Sequence, residues 1–501
     1  MKQIIDLKSL REFLATDLKT NVFGVCTNVF NRLSPEKFIP DYRLLALRYS
    51  LDTEIIEKEV EMLSLEKGMG TKHINQPRNS TTVVESARVR DYIAQFPGQA
   101  ALLPYKSTAR IEEICQQNNW LLLMNSHKFG KDLFEDKIKF RKILEELGLG
   151  VIPGEVCLYQ KLDYKILQNR YGLPFVIQHP RRGGGKGTFF IRGRASWNAA
   201  LQKIAEKSDQ DPEEEVGLAE LEVLVAKFIR GSSPSLTACV TKHGILSTNL
   251  QFQLLDNNQL FNPESGSGLF CGHDWTSASA IGNDINQQAY EYVEKIGQYF
   301  KSKGYKGIFG LDFILDDKTN KLYIVETNPR LLGSFPVISM VQHLNGEIPI
   351  LAFHLLEFLD LDYSIDVDDI NAMLRRPKRG VQMIMHNLVR QMVQNHREIK
   401  AGVYRLENSQ LKFIRPGYDL CHIKNEGEFV VADGVPYRLS HFDPGRRLGR
   451  VLCLNSVRTQ SGELNQWADQ VVRSVYQSFD LRPVKWLRLK RFFYPGYLAK
   501  G

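Results

Sequence analysis

The sequence predicts a multidomain α/β chain: an α/β unit at the N-terminus, a central α+β region, and a small β-rich region after about residue 360. Two observations carry this expectation. Strand-like apolar runs alternate with helical periods through the first two thirds, and beyond them the runs become short and alternate with period two. The 501 residues, 43% hydrophobic and 24% charged, supply core for about two to four domains.

In chain order, residues 1 to about 115 are mixed with their clearest unit late, and HINQPRNSTT (73–82) reads as a surface loop. AALLPY (100–105), the helical stretch 107–119 and WLLLMN (120–125) form a βαβ pattern. From Glu135 a helical period places Ile138, Phe140, Ile143, Leu144 and Leu147 on one face, with Gly148 as its stop. Residues 171–192 give strand, glycine-rich loop and strand; residues 207–217 form an acidic linker, and LEVLVAKFI (221–229) is a strand. GIFGLDFIL (307–315) and KLYIVETN (321–328) pair as a hairpin across DDKTN, and SFPVISM (334–340) begins a packed helix. Residues 402–406, 411–417 and 428–439 are the alternating strands of the β-rich part.

Lys plus Arg exceed Asp plus Glu by 65 to 57, a formal charge of +8, which is mild for this length and argues against a nucleic-acid binder. The seven cysteines are scattered and odd in number, without a CxxC pair, so neither a disulfide framework nor a zinc site is expected. No signal peptide or membrane span is expected either, and the reading is a cytoplasmic protein. The tail 481–501 interleaves Lys485, Arg488, Lys490 and Arg491 with Trp486, Phe492, Phe493 and Tyr494; it reads as a docked or solvated end rather than a membrane or nucleic-acid contact.

Two segments carry chemistry. RRGGGKG (181–187) lies between strands, so it is neither a P-loop nor a dinucleotide fingerprint. Gly183, Gly184, Gly185 and Gly187 let backbone N–H groups turn toward an anion, with Arg181, Arg182 and Lys186 adding charge; the alternative is a solvated basic hairpin tip. In the second segment, Glu326, Asn328 and Arg330 alternate on one face of a strand, and Asp312 meets them from its neighbour. Two carboxylates and an amide oxygen suit Mg²⁺ on ATP phosphates, with Mn²⁺ as an alternative, and an adjacent arginine can neutralise a transferring phosphoryl group.

These segments, in the order EDKIKFRKILEELGLGVIPGE, PFVIQHPRRGGGKGTFFI, VLVAKFIRG and GIFGLDFIL with YIVETNPRL, resemble the ATP-grasp superfamily over roughly residues 130–340, nearest its carboxylate-amine ligase and biotin carboxylase-like branches. The resemblance implies an ATP-grasp domain at 127–360 with a lid at about 151–230, an α/β domain at 1–126 before it and a β-rich accessory domain at 361–480 after it. It implies that Lys137 reaches the ATP phosphates, that the loop 183–187 closes over them with Lys186 taking part in the chemistry, and that Lys227, Phe228 and Ile229 hold adenine. Asp312, Glu326 and Asn328 are then the metal ligands, and Arg330 the residue steadying the γ-phosphate or the acyl phosphate. The implied reaction activates a small carboxylate at the expense of ATP, forming ADP and phosphate, and joins it to an amine; a homo-oligomer stays open.

Three positions depart from the family pattern. Gln178 stands where a phosphate-binding lysine is usual, so Lys186, Arg181 or Arg182 must compensate; Ala226 replaces the hinge acid, and Ser235 lies near the usual ribose-binding glutamate. The loop 262–282 lines the acceptor pocket in the resembling ligases, which makes His273, Asp274 and Trp275 the substrate candidates, against the reading of an exposed or structural histidine. Two rival functions remain. A biotin carboxylase-like enzyme would have a glutamate where Ser334 stands, and a non-catalytic nucleotide-binding scaffold would fit Gln178 and Ala226 but not the intact acid and arginine set.

Overall fold

The computed structural model describes residues 2–67, 79–183, 185, 187–206, 217–262 and 268–484. At the N-terminus a parallel sheet runs in the order Met62–Ser64, Arg43–Ala46, Asn21–Cys26, Ala100–Leu103, Leu121–Leu122. The expected βαβ unit is its last part: Thr108 caps the helix Ala109–Gln117 by accepting from the Ile111 N–H. Its partner strands, within the stretch that reads only as mixed, are buried on both faces and so lack the alternation that marks a strand. The loop expected at 73–82 differs too. Residues 73–78 lie outside those described, while Asn79 accepts from the N–H groups of Thr81 and Thr82 and starts the helix Ser80–Glu85.

The segment expected to be a lid carries an antiparallel sheet in the order Gly154–Leu158, Glu222–Lys227, Phe175–Gln178, Thr188–Ile191, packed on its helices through Phe175, Ile177, Trp197 and Val225. Behind the site, Pro234–Val240, Gly307–Asp316 and Leu322–Asn328 are neighbouring antiparallel strands. The helix Asn283–Ser302 covers them with Ile285, Ala289, Val293, Ile296 and Phe300. A Cβ on Gly297 would lie 2.8 Å from Ile245, so only glycine permits this approach.

The same sheet continues through Gln251–Leu255 and Phe270–Asp274 to Val381–His386, Arg447–Cys453, Glu428–Ala432, Gly402–Glu407 and Gln410–Arg415, twelve strands in all. The boundary expected at 360/361 therefore falls inside a continuous sheet. Backbone pairing between Phe270–Asp274 and Val381–His386 crosses it, a long-range contact with no local signature. Val337–Leu344 is the helix expected after 334, and its first six residues are buried. The N-terminal part docks onto this body through Asp52, which accepts from the N–H groups of Asp433 (3.1 Å), Gly434 (3.0 Å) and Val435 (2.9 Å). No helix among the described residues is long and apolar enough to cross a membrane. The basic aromatic residues 485–494 lie outside the described residues.

Candidate active site

Asp136 starts the helix Lys137–Glu146 by accepting from the N–H groups of Ile138 (3.0 Å) and Lys139 (3.1 Å). This start buries the Lys137 side chain and holds its Nζ 3.3 Å from Glu326 Oε2, with a hydrogen bond to the Arg182 carbonyl at 3.1 Å. The Lys137 N–H also donates to the Pro180 carbonyl, so the helix start is tied to the lid loop.

Asp312 and Glu326 are directly opposed across the hairpin, and a bulge beside Asp312 re-aims the strand there. Asp312 accepts from Gln253 Nε2 at 2.5 Å and from Asn328 Nδ2 at 2.8 Å. Burial, and next the Glu326 carboxylate, push the Asp312 acid above the ordinary carboxylate range. Two carboxylates held together, half-buried, are what a divalent cation relieves. Among the described residues no three His, Cys, Asp or Glu side chains converge. The donor set is thus two carboxylates beside an amide, a partial oxygen shell of the kind Mg²⁺ completes with phosphate oxygens and water. The Asn328 oxygen faces Arg330, so ligation by Asn328 requires its amide to turn.

Arg330 is braced on several sides. Its Nε donates to Glu135 at 3.0 Å, Nη2 to Asn328 Oδ1 at 2.7 Å, and Nη1 to the Leu331 carbonyl and the Tyr105 hydroxyl. Burial opposes its charge, but Tyr105, Glu135 and Glu326 outweigh burial and raise its pKa.

In the lid loop, Gly185 has φ +77°, where a side chain is strained, and a Cβ on Gly187 would lie 2.6 Å from that of Arg182. A Cβ on Gly183 would meet nothing within 4 Å; Gly184 and Lys186 lie outside the described residues. Gln178 is buried and donates to Thr188 at 3.3 Å. Of the cations expected to compensate for it, Arg182 instead caps the end of the helix Arg194–Ala205, donating to the carbonyls of Lys203 (2.7 Å) and Glu206 (2.6 Å). Arg181 pairs with Asp136 at 3.3 Å. Lys137 is the buried cation beside the acids. His179 between these groups is neutral, its pKa lowered to about 4 by burial, then by Arg182 and Lys137.

Among the residues expected to hold adenine, the Lys227 N–H donates to the Pro153 carbonyl at 2.8 Å, Phe228 packs edge-on against Phe190, and Ile229 is half-buried. Ser235 stands opposite Asp312 and is buried. The segment 273–275 turns inward. Asp274 caps the short helix Trp275–Ala278, accepting from Ser277 N–H at 2.7 Å, and also accepts from Ser456 (3.1 Å) and the Val457 N–H (3.0 Å). Trp275 is core. His273 accepts from Gln382 Nε2 at 2.7 Å, and burial, then Arg450, lower its pKa to about 3. The candidate pair Asp274 and Trp275 is thus scaffold, because a strand running into a capped helix leaves those side chains no open face.

Glu135, Tyr105 and Gln253 belong to the cluster but were not among the expected site residues. Only the Glu135–Asp136 pair ahead of Lys137 carries a local signal, as a helix start; Tyr105 and Gln253 arrive by tertiary contact.

With this geometry in place, comparison with known proteins is direct. A family model described as an ATP-grasp domain matches residues 134–334. The carbamoyl phosphate synthase large chain of Clostridium perfringens (strain 13 / Type A) is 22% identical over 306 residues, 60% of this chain and 25% of that protein, so the chain spans about a quarter of that relative's length. Two solved structures share the fold. The biotin carboxylase domain of Hydrogenobacter thermophilus 2-oxoglutarate carboxylase, in complex with MgADP, ADP and bicarbonate, is 14% identical with a TM-score of 0.56, covering 94% of this chain and 92% of that one. Campylobacter jejuni biotin carboxylase, in a β,γ-ATP complex, is 13% identical with a TM-score of 0.57, covering 93% and 98%. Residues 134–334 of this chain form an ATP-grasp domain.

Proposed function

We propose that the protein is an ADP-forming ligase that uses Mg-ATP to turn a carboxylate into an acyl phosphate and joins it to an amine, an amino acid or peptide being the class expected. The observation that carries this reading is one cluster: Asp312 and Glu326 opposed on a hairpin, flanked by buried Lys137 and braced Arg330. The ATP-grasp domain and the nucleotide complexes of its fold neighbours support it.

Lys137 and the lid loop, with Gly183, Gly184, Gly185, Lys186 and Gly187, take the phosphates; Lys227, Phe228 and Ile229 take adenine. Asp312 and Glu326, joined by Asn328 once its oxygen turns, would hold Mg²⁺, which supplies charge neutralisation on the phosphate oxygens. The substrate carboxylate oxygen attacks the γ-phosphorus, an O–P bond forms and the β–γ bridge breaks, releasing ADP. The amine nitrogen then attacks the acyl carbon, the C–N bond forms, phosphate leaves with the C–O pair, and the nitrogen gives its proton to water. Arg330 stabilises the charge with little reorganisation, because Glu135 and Tyr105 already orient it.

The test incubates the protein with Mg-ATP and panels of amino acids and carboxylic acids, following ADP, phosphate and product mass. Substrate-dependent ADP with a mass-matched amide is the expected result. AMP and pyrophosphate would sink the acyl-phosphate route, bicarbonate-dependent turnover stimulated by biotin would favour the carboxylase, and ATP binding without turnover the scaffold.

A further inference from the structure

After the strand Asn21–Cys26 the chain turns through Val29–Arg32 and carries Arg32 inside, 4% exposed. Among the described residues its guanidinium meets no carboxylate. Nη1 donates to the Asn31 carbonyl, Nε is buried without a hydrogen-bond partner, and the groups that act electrostatically on it are Cys26, Tyr42 and Tyr105. A buried guanidinium without a counter-charge is costly, and chains keep one where a ligand supplies the charge.

Its surroundings close into a ring. Arg32 and Arg330 lie 5.7 and 5.0 Å from the same Tyr105 ring centroid. Phe30, two residues before Arg32, lies under Arg450 at 5.0 Å. Arg450 donates to Gln382, Gln382 donates to the Gly333 carbonyl at 3.1 Å, and three residues of chain lead from Gly333 back to Arg330. Ser334 Oγ is buried on this ring without a partner. Arg330, Arg447 and Arg450 are matched by Glu135 and Asp433, and Glu326 and Asp312 reach Arg330 from the hairpin; Asp52 behind Asp433 is taken up by Ser50 and the backbone N–H groups of 433–435. Arg32 is left with no carboxylate beside it among the described residues.

We propose that this ring is the seat of the acid substrate and that the acid is a small dianion: one carboxylate lies by Arg330 for phosphorylation, and a second anionic group lies on Arg32. Arg32 is then the specificity-determining residue. The inference rests on the ligase reading of Arg330 and adds the substrate class.

Calorimetric titration of the full chain with butyrate, succinate, glutamate and phosphoserine tests it, with Mg-ATP titrated separately. Expected are dianions bound about tenfold or more tighter than butyrate. Arg32→Gln erases that preference, Arg32→Lys keeps part of it, and Mg-ATP binding is unchanged in both. Phosphoserine ahead of succinate would identify a phosphate ester as the second group, and the reverse order a carboxylate. Unliganded Arg32→Gln should melt at or above the wild-type temperature, since it removes an unmatched buried charge. Equal binding of butyrate and dianions by the wild type overturns the proposal, as does a lowered melting temperature with the preference retained. A wild-type protein that fails to bind Mg-ATP sinks the ligase reading instead, and the acid titration still decides the role of Arg32.

Discussion

Asp312 and Glu428 are carboxylates on strands of one sheet, and their surroundings treat them oppositely. Glu428, buried, accepts from Arg415 Nη2 (2.5 Å), Asn425 (2.9 Å) and the Lys424 N–H (2.9 Å), and the Arg415 contact above all holds its pKa down to about 2. Asp312 is pushed upward, first by burial and then by Glu326. The β-rich region matches its charges and gains stability from them. The hairpin keeps a repulsive pair together, which is the condition of a site that a ligand completes.

The sharpest way to break this comparison is to neutralise both kinds of acid. Asp312→Asn or Glu326→Gln should lower substrate-dependent ADP formation by roughly 10³-fold with the circular dichroism spectrum unchanged, and in Asp312→Asn the melting temperature should hold or improve. Wild-type turnover in both would show that the hairpin is not the site. Glu428→Gln should do the reverse: it removes the charge from a buried network and costs roughly 3 kcal/mol in urea unfolding, with turnover per folded molecule unchanged. The pH dependence carries the same contrast. The Glu428 value is depressed below 4.5, so its contribution is present above 4.5 and is lost as pH falls toward about 2. Asp312 has the opposite sign. Its folded value lies above 3.8, so in chelator-treated protein its ionisation lowers stability as pH rises from about 3.8, and Asp312→Asn should flatten that slope.

Asp274→Ala tests the inward reading of 273–275. Loss of the helix cap and of the clamp on Ser456 and Val457 should cost about 1–2 kcal/mol by urea unfolding, with the KM for each substrate unchanged. The smallest effect belongs to Gln178→Lys. A lysine there adds one charge where Lys137 and the basic loop already supply several, so nucleotide affinity should tighten by only about a few-fold in direct titration. A gain of 100-fold would mean that Lys137 and the lid loop do not already serve the phosphates.

Much of the central region was legible without coordinates, for a local reason. Strand alternation put Glu326 and Asn328 on one face, and the helical period after Glu135 delivered the helix that bears Lys137. Where both faces of a strand are buried, as in Asn21–Cys26 and Arg43–Ala46, alternation vanishes, and of the N-terminal sheet only the part around Ala100–Leu103 and Leu121–Leu122 could be read. Asp274 follows a glycine-rich stretch and so reads as a pocket edge, while a helix cap and two long-range hydrogen bonds turn it inward.

By itself, the sequence determined the order of the ATP-grasp segments and the residue types that can meet phosphate and metal, because periodicity and glycine chemistry act over a few residues. Tertiary structure alone decided which charges are matched. Arg182 goes to a helix end, Arg330 to Glu135 and Tyr105, Glu428 to Arg415, and Arg32 to no carboxylate among the described residues, since each pairing joins chain segments that meet only when the sheets pack.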